Sequence, residues 1–208
     1  MRRTTHSPHL LIGAAVLALA GSLTLVGGNV VGSILVPGHD WMAETVSDLG
    51  AGRLEIVQDV ALYGYAAGLA ACAVGGAHAH MDGLRWSGGI LCLLLLAALV
   101  VVIGARNEYG DGDREGVVVH MYLVYMMGLL FLLGPLLMAR GMGHVRAIYR
   151  RLSLGCGIVW GIGAPLFFMA PTDIDGLIER LLGIVSIVWI LTLARFFVED
   201  ACGAGEPS

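Results

Sequence analysis

Lysine is absent from this 208-residue chain, and all twelve of its basic side chains are arginine. That absence excludes a retinal Schiff base and any lysine nucleophile. Charge of either sign is scarce, at 13% of residues, where a soluble domain carries roughly 25%. There is no CxxC pair; Cys72, Cys92, Cys156 and Cys202 are scattered, three of them in apolar runs. Neither a disulfide framework nor a thiolate metal site is suggested, and the cysteines read as small packing residues. The net charge of −4 gives no basic footprint for nucleic acid. No long internal repeat supports an inverted-repeat transporter. What is present instead is apolar character, at 57% of residues. The expectation is an integral membrane protein with a single transmembrane domain over 1–199 and a disordered cytoplasmic tail over 200–208.

Six stretches approach or exceed the roughly 20 residues that cross a bilayer as helix. They lie near 9–35, 56–77, 86–105, 117–139, 152–170 and 177–198. The first resembles a signal peptide, with Arg2 and Arg3 before a run that reaches Ala18-Leu19-Ala20. Its apolar character continues past Gly28 to Pro37, too far for a signal core, so a retained helix is expected. Arg140, Arg146, Arg150 and Arg151 share one loop with no acid, and Arg2 and Arg3 lie on the same side. The alternate loops are acidic. Residues 36–55 set four acids against Arg53, 106–116 set four against two arginines, and 171–180 set three against Arg180. The positive-inside rule then puts both termini in the cytoplasm and every acidic loop outside. Gly28-xxx-Gly32, Gly64-xxx-Gly68 and Gly157-xxx-Gly161 suit close helix packing within the bundle. Pro135 and Pro165 are expected to kink their helices.

The chemistry concentrates in the first acidic loop. Asp40, Glu44 and Asp48 step by four between Pro37 and Gly50, which on a helix would place all three on one face. Trp41, Met42, Thr45, Val46 and Leu49 interleave with them, so a short interfacial amphipathic helix is expected. His39 or Asp40 would cap it, and Gly50 with Gly52 would end it. On the second helix Glu55, Asp59 and Tyr63 again share a face beside Gln58. Asp59 would be costly facing lipid, so it should point inward, toward Tyr63 or toward Arg106 or Arg180. A purely structural Arg–Asp pair is an equal alternative. His120 opens the fourth helix, with Tyr122 and Tyr125 nearby, and at the last outer turn Asp175 and Glu179 step by four before Arg180.

His39, His120 and a carboxylate such as Asp48 would make a two-His, one-carboxylate zinc set with an open position for water. Haem ligation by His39 and His120 would need both buried as axial ligands. His78-Ala79-His80 lies at the opposite end with only Asp82 near. Asp111-Gly112-Asp113 lacks the register and terminal glutamate of a calcium loop.

Ser47-Asp48-Leu49-Gly50 in the first outer loop, His120 at the start of the fourth helix, and Gly176, Leu177 and Arg180 at the start of the last resemble the DUF998 family of six-helix bacterial membrane proteins. The resemblance spans nearly the whole chain. It implies six helices, a site at this end and a bacterial cytoplasmic membrane, but no activity. Members often carry Pro-x-Asp before the histidine, where this chain has RNEYGDGD.

The expected fold is therefore all-α, a polytopic bundle of six transmembrane helices with a short interfacial helix in the first outer loop. The leading expectation is a membrane-embedded enzyme that works on a lipid or amphipathic molecule from the outer leaflet, by acid/base or metal-assisted hydrolysis or transfer. Asp48 would be the main acid/base group or ligand, supported by Ser47 and Asp59, with His39 and His120 as shuttles or ligands. Arg180, Arg106, Glu44, Tyr63 and Trp41 would bind the substrate. The alternatives are a proton- or ion-coupled transporter, a ligand-binding protein without catalysis, and a structural partner in which the same charges form an ion-pair network.

Overall fold

The computed structural model describes residues 7–50, 54–81, 83–105 and 119–203. Arg2, Arg3, Gly52, Arg53, Asp82 and residues 106–118, Arg106 among them, lie outside the described residues, as do residues 204–208. The described chain forms α1 (Pro8–Leu35), a short α2 (Val46–Gly50), α3 (Glu55–Ala79), α4 (Leu84–Ala105), α5 (Val119–Gly143), α6 (Ala147–Met169) and α7 (Asp175–Gly203). Among these residues there is no strand. The six long helices are each long and apolar enough to cross a bilayer, so this is a multi-pass membrane protein. α6 begins at Ala147, inside the arginine loop, and α7 runs on to Gly203, beyond the break expected after Val198. Local rules account for several ends. Pro8 occupies the first turn of α1, where its missing N–H is no loss. His80 ends α3 in the left-handed region at φ 50°.

The long helices pack in chain order as a closed ring, with α7 returning to α1 and also touching α3 and α5. Strict up-and-down alternation gathers α2 and the ends of α1, α3, α4, α5, α6 and α7 that flank the acidic segments at one end. Lipid does not drive helices together as water does, so close backbone approach carries much of the cohesion. A Cβ on Gly21 of α1 would lie 2.6 Å from the Gly64 carbonyl oxygen of α3 and 3.1 Å from Gly68 Cα. Gly28 meets Ala61, Gly32 meets Leu49, and Gly157 and Gly161 receive Leu132 and Leu136 of α5. All three small-residue pairs are therefore spent within one bundle. Between the helices the core is aromatic, with Phe131 stacked on Trp160 at 4.6 Å and edge-on to Trp189 at 6.2 Å. α5 and α6 continue through Pro135 and Pro165.

The opposite end is tied by Ser7, whose backbone N–H donates to His78 Nε2 at 2.8 Å. Glu199 holds Arg146 at 2.6 Å and Arg195 at 3.0 Å.

Candidate functional site

The loop that follows α1 folds by short-range hydrogen bonds rather than as a helix. Pro37 and Gly38 (φ +77°) form a turn closed by the His39 N–H on the Val36 carbonyl, the geometry that favours proline then glycine. Asp40 Oδ1 then accepts the N–H groups of Met42 at 3.0 Å and Ala43 at 3.4 Å, and the Glu44 N–H bonds the Asp40 carbonyl at 2.7 Å. An aspartate that bonds backbone two and three residues ahead offers the chain a turn in place of a helix. The short helix expected in this segment is present as the five-residue α2, but Asp40 and Glu44 lie in the turns before it, so Asp40, Glu44 and Asp48 do not share a helical face.

Thr45 and Asp48 account for where α2 starts. Thr45 Oγ1 accepts the Asp48 N–H at 3.2 Å, while Asp48 Oδ2 accepts the Thr45 N–H at 2.7 Å and its hydroxyl at 2.8 Å. This is a reciprocal capping box with aspartate at the third helical position. The carboxylate expected to lead the chemistry is held by its own helix start.

The N-terminus of α7 clamps this loop from below. The Leu177 N–H donates to the Met42 carbonyl at 2.9 Å, and the Val46 N–H donates to Glu179 Oε2 at 2.6 Å. Arg180 Nη1 donates to the carbonyls of Trp41 at 2.8 Å, Glu44 at 2.7 Å and Gly176 at 3.0 Å. Its Nη2 donates to His39 Nε2 at 3.0 Å, and His39 Nδ1 meets Glu44 Oε2 at 2.5 Å. Because a guanidinium only donates, Nε2 must accept and the imidazole proton sits on Nδ1 facing the carboxylate. The side chain of His39 is 1% exposed. Glu179, Asp48 and Glu44 surround the Arg180 charge. Gly176 makes this contact possible, since a Cβ there would overlap the Glu44 carbonyl.

Ser47 Oγ lies 3.4 Å from Nε2 of the buried His120. Leu49 packs on Gly32. The zinc set expected from His39, His120 and Asp48 does not assemble. Both nitrogens of His39 are engaged and Asp48 is tied to Thr45, and among the described residues no three His, Cys, Asp or Glu side chains converge for a metal. Arg180 is likewise directed at the loop rather than at Asp59. Tyr63 is 39% exposed and packs on Gly104 of α4, away from the loop.

Beneath the clamp is a cavity of 580 Å³, within the range of small-molecule sites. Val26, Val30 and Ile34 of α1 form one wall, Ile184 and Ile187 of α7 another, and Phe131 with Trp160 the deep side. His39, Trp41, Glu179 and Arg180 form its polar end. Val30, Ile34 and Ile184 are at once wall and exposed surface of the bundle, so the space opens sideways between α1 and α7. Deeper in, Tyr65 Oη donates to Ser186 Oγ at 2.8 Å. Two wall atoms, Asn29 Oδ1 and Trp160 Nε1, are buried with no hydrogen-bond partner among the described residues.

The family model for a protein of unknown function, DUF998, matches residues 18–195. The chain belongs to the DUF998 family. No curated protein and no solved structure matches it. In this DUF998 protein Ser47, Asp48, Leu49, Gly50, His120, Gly176, Leu177 and Arg180 belong to one end of the bundle, where Gly176, Leu177 and Arg180 hold the loop and Ser47 meets His120. Missing from the sequence reading were Thr45 as the cap of α2, Glu179 as a loop acceptor, and the polar wall groups Asn29, Tyr65, Trp160 and Ser186. The Thr-x-x-Asp spacing before α2 was a usable signal for the first. Nothing local marks the wall groups.

Proposed function

We propose that this DUF998 protein binds an amphipathic molecule taken from the membrane, with its apolar part in the cavity and its polar group at the Arg180–Glu179 end. The carrying observation is the sideways-open 580 Å³ cavity, apolar along its length and charged at one end. The partnerless Asn29 Oδ1 and Trp160 Nε1 on its wall support an occupant, since each such group costs about 1–3 kcal/mol when left unmet. The arginine-rich loop supports a cytoplasmic placement of the opposite end, which turns the cavity mouth outward. Binding is favoured over catalysis because Asp48, His39 and Arg180 are each engaged in holding the loop. A second reading, a serine hydrolase, rests on the 3.4 Å approach of Ser47 Oγ to His120 Nε2, a nucleophile and base within tightening distance.

Gly183 lines the cavity, and a Cβ placed there meets nothing within 4 Å. A side chain can therefore start there without a clash, and Gly183→Leu puts apolar bulk into the space. In detergent, a dansyl-labelled lysophospholipid should bind the wild-type protein and bind Gly183→Leu at least about tenfold more weakly. Equal binding by both proteins would remove the cavity from the account. Turnover of an acyl ester that is lost in Ser47→Ala while binding persists would favour the hydrolase.

A further inference from the structure

Three arginines from three helix ends meet at the end of the bundle opposite the cavity. Arg85 lies in the first turn of α4, Arg140 in the last turn of α5 and Arg150 in the first turn of α6. Together with Leu136, Ala139 and Leu154 they line a separate cleft of 430 Å³. Among the described residues none of the three is in an ion pair, and Glu199 is already held by Arg146 and Arg195. Among the described residues the first turns of α4 and α6 contain no acid, so two helix starts add partial positive charge beside the guanidinium groups, against the one helix end of α5. The Arg150 side chain is braced against Gly143, where a Cβ would lie 3.1 Å from its own Cβ.

Three like charges near each other repel, and arginine forks suit phosphate oxygens with two parallel bonds. The rest of the lining is leucine and alanine, an apolar border beside the guanidinium groups. We propose that this cleft holds the phosphodiester headgroup of an anionic phospholipid, with the acyl chains leaving across Leu136 and Leu154. It is a site apart from the amphiphile cavity and does not depend on that reading. Its consequence is a fixed lipid that joins the ends of α4, α5 and α6.

The test uses full-length protein in nonionic detergent, titrated with dioleoyl phosphatidylglycerol or dioleoyl phosphatidylcholine, with bound lipid counted by native mass spectrometry. One phosphatidylglycerol should bind in preference to phosphatidylcholine. Arg85→Gln, Arg140→Gln and Arg150→Gln should each weaken it about fivefold. Arg151→Gln, an equal loss of charge at an exposed neighbour outside the cleft, should leave it unchanged. Arg140→Lys keeps the charge without the fork and should weaken binding less than Arg140→Gln. Equal binding of the two lipids, or an Arg151→Gln effect as large as the others, overturns the proposal. So does displacement of the lipid by millimolar inorganic phosphate, which would assign the cleft to soluble anions.

Discussion

Gly176→Ala should open the clamp over the cavity while leaving the helix bundle intact. The added Cβ would overlap the Glu44 carbonyl oxygen and lie 2.7 Å from its carbon, against 3.4 Å or more in ordinary contact. Both partners are backbone, so no side chain can swing aside. The loop must lift by about 1 Å, which carries the Arg180–Glu44 and Leu177–Met42 bonds beyond hydrogen-bonding reach. They measure 2.7 Å and 2.9 Å in the intact protein. One of them is charge-assisted, so their loss costs about 2–4 kcal/mol of local stability. Alanine favours helix over glycine by about 1 kcal/mol, so the substitution does not weaken α7 itself. Hydrogen–deuterium exchange in detergent reads the effect directly. Peptides that cover 41–50 and 174–180 should exchange at least about 30-fold faster, with the rest of α7 unchanged. Gly183→Ala, on the same helix with open space around it, is the control and should exchange as wild type. If Gly176→Ala also exchanges as wild type, the loop is not held by this contact and the reasoning fails.

The capping box predicts that Thr45→Ala and Asp48→Ala each cost about 0.5–2 kcal/mol, and that the two are non-additive in a double-mutant cycle read by the same exchange measurement. Strict additivity would mean that Asp48 acts apart from Thr45, as an acid/base residue would. Gly21→Ala forces a Cβ to within 2.6 Å of the Gly64 carbonyl oxygen, so α1 and α3 must part. A loss of about 1–3 kcal/mol follows, visible as a lower thermal midpoint in detergent, and an unchanged midpoint would refute the close crossing.

The spans were legible because a bilayer imposes a local requirement, about twenty apolar residues in a row, and each helix meets it in its own sequence. The glycine pairs were legible as spacing, yet their partners were not. That Gly21, outside all three expected pairs, would come nearest to the α3 backbone, at 2.6 Å, depends on how two helices cross. The loop after α1 misled for a related reason. A four-residue carboxylate spacing reads as a helix when only neighbours in sequence are weighed, but Asp40 bonds its own backbone and α7 reaches in from more than 130 residues away. Asp48 was chosen for its chemistry and is held by a cap; Glu179, seen only as one of a spaced pair, receives a loop N–H.

By itself the sequence determined the membrane class, the six helices, and the end of the bundle where polar groups gather, because hydropathy and charge placement act over one helix length at a time. Tertiary structure alone decided which of those groups are free and which are bound. Hydrogen bonds of about 3 Å between residues distant in the chain exist only once the ring of helices closes. That closure turned the carboxylate stripe into a clamp, with a cavity beneath it lined by side chains from all six long helices and from α2.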